Sequence, residues 1–184
     1  MDRATIRTAF TKYKTDKALH RYDQMYTDIF SDLTPTKMLE IGIYTGKSMA
    51  AWKELFPQAE VYGMDKRIFP LIEDANQFKS NIVYADSALL QSQDLVPTDF
   101  EIIIDDGDHR PNVQWATFMN FRQSWSRYYV IEDIITEENE KLMRKRLKDN
   151  GFRDVTTYTS AFQGNVIIHG VDAPRTFFAI VVKK

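Results

Sequence analysis

The feature that most constrains this chain is an alternation. Five short apolar runs follow one another from Lys37 onward, each carrying an acid at or near its end and each followed by an amphipathic or turn-rich stretch. Met38-Leu39-Glu40-Ile41 reads as a strand and Lys47 to Phe56 as a helix, stopped by Pro57. Glu60 to Met64 is a strand ending at Asp65, and Pro70 to Phe78 reads as a helix. Asn81 to Ala85 ends at Asp86, and Phe100 to Ile104 ends at Asp105 and Asp106. Pro111 opens a helix, as proline does at a first helical position. Tyr128 to Ile131 ends at Glu132-Asp133, and Glu137 to Lys148 is a helix that stops near Asn150-Gly151. Strands alternating with helices imply a parallel sheet covered on both faces. Val155 to Ser160, Asn165 to His169 and Phe177 to Val182 are β-rich, with Gly164 and Gly170 at turns, and suggest an antiparallel hairpin at the sheet edge. The expected class is α/β: a Rossmann-like, doubly wound, mostly parallel seven-stranded sheet with an antiparallel C-terminal hairpin.

At 184 residues, one such domain is expected over 1–184, with residues 1–36 as a helical N-terminal cap and 37–184 as the core. In the cap, Tyr22, Met25, Tyr26, Ile29 and Phe30 recur at helical spacing and read as a packing face. A net charge of −2 offers no global field for nucleic acid, and the cluster Arg144, Lys145, Arg146 and Lys148 reads as a solvated helix face. The chain has no cysteine, which removes disulfides, thiolate metal sites and cysteine nucleophiles. The opening Met1-Asp2-Arg3-Ala4-Thr5 lacks a signal-peptide core, and no apolar run is long enough to span a bilayer. A cytoplasmic protein without membrane or nucleic-acid partners is expected.

In open α/β sheets, ligands bind outside the carboxyl ends of the strands. That rim here carries Glu40, Asp65, Asp86, Asp105, Asp106, Glu132 and Asp133. One such acid is an ordinary turn former; a full rim repels itself unless a cation or a donor-rich ligand lies among its members. The first strand feeds Glu40-Ile41-Gly42-Ile43-Tyr44-Thr45-Gly46-Lys47-Ser48. Gly46-Lys47-Ser48 before a helix suggests a P-loop, but the position that needs the first glycine is Ile41. The Glu-x-Gly-x-x-x-Gly loop of class I methyltransferases fits without a gap. Asp65 is then placed to accept from ribose hydroxyls, and Asp86-Ser87 lies where an adenine amino group needs an acceptor, although Asp86 serves equally as a helix cap.

The most informative segment is Ile104-Asp105-Asp106-Gly107-Asp108-His109, with Val130-Ile131-Glu132-Asp133 on the adjacent strand. Carboxylates from both could hold a magnesium ion, which takes oxygen ligands. A histidine in the same turn could take a proton from a metal-polarised hydroxyl. His20 and His169 have no such company and read as structural or surface residues.

On these motifs, together with Lys14-Thr15-Asp16-Lys17, Tyr22, Tyr26, Phe56-Pro57 and Tyr62-Gly63-Met64-Asp65, the chain resembles the metal-dependent sugar O-methyltransferases that act on macrolides and related natural products. The resemblance implies S-adenosylmethionine and Mg2+ as cofactors. It implies Asp106, Glu132 and Asp133 as metal ligands and His109, working with Asp106, as the catalytic pair. The cofactor set it implies is Glu40, Gly42, Tyr44, Gly46, Ser48, Asp65, Lys66, Asp86, Ser87 and Asp105, with Thr15, Asp16 and Lys17 near the mouth of the site. The expected partner is a small-molecule hydroxyl acceptor of sugar type. The glycine loop has Tyr44-Thr45 where relatives carry more glycine, and the chain is close to a bare catalytic domain. Its acceptor pocket is therefore expected to be open, or completed by another copy in a homo-oligomer. The alternatives are a non-catalytic S-adenosylmethionine-binding module and a P-loop nucleotide hydrolase.

Overall fold

The computed structural model describes residues 1–160, 164–168 and 171–184, with only the backbone of 164–168 and 171–175. The element order is simple: three helices, then a sheet wound on both faces. The helices are α1 (Arg3–Lys12), α2 (Lys17–His20) and α3 (Asp23–Ile29). The strands β1 (Lys37–Ile41), β2 (Glu60–Asp65), β3 (Ile82–Tyr84), β4 (Phe100–Asp105) and β5 (Trp125–Ile134) follow. They are joined in part by α4 (Lys47–Leu55) and α5 (Pro111–Phe121). Helix α6 (Glu137–Asp149) leads to β6 (Asp154–Thr159), β7 (Gly164–Ile168), β8 (Val171–Arg175) and β9 (Phe178–Lys183). The main sheet has seven strands in the order β3-β2-β1-β4-β5-β9-β6. The first five run parallel, and β9 lies antiparallel between β5 and β6.

Strand alternation divides the core in two. Met38, Ile102, Ile104 and Val130 face α1, α3 and α4 in one apolar cluster, around the fully buried Trp52, Tyr26 and Phe10. Leu39, Ile41, Ile103, Tyr129 and Ile131 face the other way, into a cluster with Phe118 and Phe121 of α5 and Met143 and Leu147 of α6. The Tyr22, Met25, Tyr26, Ile29 and Phe30 stripe is buried throughout, so the N-terminal helices share the core of the sheet. Helix α6 is held at its start by Thr136, whose hydroxyl accepts from Asn139 N at 3.1 Å, with Glu137, Glu138 and Glu140 in the first turn. Thr136→Ala is expected to cost about 1 kcal/mol in denaturant unfolding; an unchanged midpoint would show that the cap contributes nothing.

Two expectations need correction. The stretch expected as a helix over Pro70 to Phe78 is instead a 3₁₀ segment over Glu73–Asn81, and only a short 3₁₀ turn, Ser92–Leu95, precedes β4. Leu71, Ile72, Ala75 and Phe78 still pack on the core, but the segment forms 3₁₀ turns rather than an α-helix. The C-terminal β residues form the expected antiparallel pair at the sheet edge, with a second ladder inserted. β6 and β9 pair with each other in the main sheet, while β7 and β8 form a separate two-stranded ladder between them in sequence. His169 and Gly170 lie outside the described residues. Finally, β5 runs well beyond Tyr128 to Ile131, and its pairing with β9 shifts register between Ile131 and Ile134. Among the described residues, no helix is long and apolar enough to cross a membrane.

Candidate active site

The strand order reverses between β1 and β4, and a cleft of about 370 Å³ opens outside the carboxyl ends of the strands on that side. Four strand ends line it: Gly42 and Tyr44 after β1, Asp65 to Arg67 and Phe69 after β2, Ala85 to Ser87 after β3, and Asp106 to His109 after β4. Gly42 has φ +88°, and a Cβ there would overlap the carbonyl oxygen of Asp106. The two loops are pinned at this approach by Asp106 N donating to Ile41 O at 2.8 Å and Gly42 N donating to Met64 O at 2.7 Å. The turn then closes with Gly46 N on Ile43 O at 2.7 Å, and Gly46 (φ +78°) starts α4. This tight turn is not a wide phosphate cradle, which disfavours the P-loop alternative.

Asp65 accepts from Tyr44 N and Arg67 N, both at 2.9 Å, one on each carboxylate oxygen. The Tyr44 ring is exposed and meets Phe69 edge-on at 4.6 Å, forming an apolar lip. Asp86 caps its own turn through Ala88 N at 3.0 Å, and the Ser87 hydroxyl lies 3.1 Å from that of Thr117. Lys66 donates to Asp108 at 2.7 Å across the cleft, and Arg110 donates to both oxygens of Asp108. These contacts, the Arg110 hydrogen bonds foremost, hold the Asp108 carboxyl well below the usual carboxylate range.

Several residues expected in the cofactor set lie elsewhere. Alternation turns Glu40 to the same face as Met38, under α4 and against the N-terminal helices, where it is fully buried. Burial pushes its carboxyl up; Lys17, Ser48 and Trp52 partly offset this, although none closes a well-aligned hydrogen bond onto its oxygens. Ser48 and Thr15 are buried too. Asp105 faces the opposite side of the sheet from Asp106. It accepts from Gly107 N and Tyr129 OH, each at 3.4 Å, and burial pushes its carboxyl up to about 7. It shapes the turn after β4 and does not line the cleft.

Beside the cleft, the ends of β4 and β5 meet the N-terminal helices. The register shift in β5 coincides with Asp133 at φ +53°, a left-handed conformation unusual for a residue with a side chain. Such a bulge re-aims side chains, so Glu132 and Asp133 both reach this cluster. One donor atom each from Asp106, His109 and Asp133 lies within 4.8 Å of the others. The His109 Nδ1 atom is buried without a hydrogen-bond partner. Glu132 is turned inward: Lys17 donates to its Oε2 at 2.6 Å and Tyr26 OH to its Oε1 at 2.5 Å. Lys17 also donates to Asp106 Oδ2 at 2.6 Å, and Tyr22 OH donates to Asp133 Oδ1 at 2.7 Å. Gln114 donates to the Glu132 carbonyl at 2.9 Å. Burial first, then the neighbouring acids, push the carboxyls of Asp106 and Glu132 up, the latter to about 7, in spite of Lys17.

Sequence reasoning therefore located the acids and His109 but not their supports. By spacing, Tyr22 and Tyr26 read as a packing stripe; their hydroxyl tips carry the polar role on Asp133 and Glu132. Lys17 was expected near the cofactor, yet it does not line the cleft and lies beneath the acid cluster.

No protein-family model matches the chain, and a search of curated proteins finds no significant match. Solved structures do match. MycE methyltransferase from the mycinamycin biosynthetic pathway, in complex with Mg, SAH and mycinamycin VI, is 26% identical over 70% of this chain and 36% of its own, with a TM-score of 0.60. A second MycE structure, with Mg and SAH, is 22% identical over 97% of this chain and 54% of its own, with a TM-score of 0.67. An S-adenosylmethionine-dependent O-methyltransferase from Thermotoga maritima is 15% identical, covering 88% and 64%, with a TM-score of 0.59. The chain spans about half the length of the MycE chain or less. These likenesses show the fold: a Rossmann-like, class I methyltransferase sheet, similar to that of macrolide O-methyltransferases.

Proposed function

We propose that this chain, whose fold is that of class I methyltransferases, transfers a methyl group from S-adenosylmethionine to a hydroxyl of a small, sugar-like molecule with the help of a divalent cation such as Mg2+. The observation that carries the reading is the juxtaposition of the strand-end cleft with Asp106, His109 and Asp133 at its inner edge. The donor chemistry fits the cofactors. Gly42, where a Cβ would fill the space against Asp106, lets two loop backbones close together beneath a ligand. Carboxylate oxygens suit a hard cation, and Lys17 is the ammonium that Asp106 and Glu132 share. The bound groups supply an activated methyl and a Lewis acid for the acceptor hydroxyl.

The residues divide the remaining work. Asp65 accepts from the ribose hydroxyls with the lone pairs that Tyr44 N and Arg67 N leave free. Asp86 and Ser87 border the adenine end, and Tyr44 and Phe69 shield the lip. Asp106 and Asp133, with Glu132 beside them, would hold the cation. His109 accepts, at Nδ1, the proton that the acceptor hydroxyl loses as its oxygen takes the methyl group. MycE, crystallised with Mg, SAH and a macrolide, supports this assignment of ligand classes. The acceptor is a small molecule rather than nucleic acid, and the open cleft leaves room for a second copy of the chain to complete the acceptor side.

Calorimetry with S-adenosylmethionine on the full chain tests the reading. Binding is expected in the wild type, and Asp65→Ala should weaken it about tenfold, since a hydrogen bond to a charged acceptor contributes roughly 1.5–3 kcal/mol. Absence of binding to the wild type would sink the proposal, whereas equal affinity in the variant would remove only Asp65 from the ribose site.

A further inference from the structure

Lys17 is an unusual residue to find at 1% exposure. Its ammonium contacts Asp106 Oδ2 and Glu132 Oε2, both at 2.6 Å, and Glu40 Oε1 at 3.3 Å. Burial works against its charge, but the three acids outweigh burial and hold it protonated well above the ordinary lysine range. The consequence lies in which oxygens remain. With Tyr26 on Glu132 Oε1, both oxygens of Glu132 are engaged. Tyr22 occupies Asp133 Oδ1 and Lys17 occupies Asp106 Oδ2. Among the described residues, the hydrogen-bond pattern leaves Asp106 Oδ1, Asp133 Oδ2 and His109 Nδ1 without partners, and these belong to the three residues whose donor atoms cluster within 4.8 Å.

We propose that Lys17 is a positioning residue and internal counter-cation: it draws Glu132 and one oxygen of Asp106 inward, offsets their negative charge, and so keeps the divalent cation weakly held and exchangeable. This rests on the divalent-cation reading above. Two physical effects act in the same direction. The ammonium repels a nearby divalent ion through a poorly screened interior, and it offsets the negative charge of carboxylates that would otherwise attract that ion in full. Glu40 tunes the effect from below. It is buried away from the cleft and shares the ammonium, which reduces the charge that Lys17 presents to Asp106 and Glu132.

The two residues therefore make opposite predictions. Mn2+ and Mg2+ would be titrated calorimetrically into the full-length wild type, Lys17→Met and Glu40→Gln. Lys17→Met should bind the cation about tenfold more tightly, because the repelling charge is gone and the charge of Asp106 and Glu132 is no longer offset. Its thermal midpoint without cation should fall, and the upward shift on adding cation should exceed that of the wild type. Glu40→Gln, nearly isosteric, should bind the cation several-fold more weakly. A merely structural Lys17 would lower stability in both variants without moving cation affinity in opposite directions. If Lys17→Met does not fold, Glu40→Gln decides alone, and affinity equal to or tighter than the wild type overturns the proposal. A wild type with no cation response overturns the divalent-cation reading itself, whereas a responsive wild type with both variants unchanged overturns only the role of Lys17.

Discussion

His109→Ala is expected to lower the rate of methyl transfer by about a hundredfold or more, the usual scale for loss of a general base. The argument is geometric. His109 sits in the turn after β4 at the inner edge of the cleft, with Nδ1 buried and unsatisfied by any protein group. A buried ring nitrogen without a partner is costly unless a ligand supplies one. Affinity for S-adenosylmethionine should hold nearly constant, because the ribose and adenine contacts assigned here come from β1, β2 and β3. Single-turnover rates with cofactor and cation titrations separate the outcomes. Wild-type rates in the variant would show that alignment and the cation suffice. A large loss of cation affinity would instead make His109 a ligand, as its place beside Asp106 and Asp133 permits.

Gly42→Ala is expected to destabilise the fold by roughly 3 kcal/mol or more, near the upper end for single substitutions. Two costs add. A φ of +88° is unfavourable for any residue with a side chain, and the new methyl would overlap the Asp106 carbonyl and approach Gly107. Neither loop can retreat freely, because backbone bonds from Gly42 to Met64 and from Asp106 to Ile41 hold them at 2.7 and 2.8 Å. Relief by moving the β4 loop would also shift Asp106 and His109, so any folded fraction should lose activity beyond its loss of stability. Denaturant unfolding within 1 kcal/mol of wild type would refute the close-approach argument.

Much of this architecture was readable along the chain. The apolar runs Met38 to Ile41, Glu60 to Met64 and Phe100 to Ile104 became strands of one parallel sheet, because a period of two and a following turn are properties of a few adjacent residues. Their closing acids fell at the carboxyl rim for the same reason. The type of helix was not legible in the same way: Pro70 to Phe78 carries an apolar stripe, Leu71, Ile72, Ala75 and Phe78, that packs on the core, yet the segment settled as 3₁₀ turns over Glu73–Asn81.

By itself, then, the sequence determined the sheet, the rim of acids, the Gly42 approach and the position of His109 in the β4 turn. Only the tertiary structure decided which acids do what. Asp105 and Asp106 are chain neighbours, yet strand alternation sends one to Tyr129 and the other to Lys17. Glu132 read from the sequence as a metal ligand, and the fold adds a protein donor to each of its oxygens, from Lys17 and Tyr26, 115 and 106 residues away along the chain. Local periodicity carries no information about such pairings. They arise because packing the N-terminal helices against β4 and β5 buries charges that must find partners, and burial makes that choice a property of the whole fold.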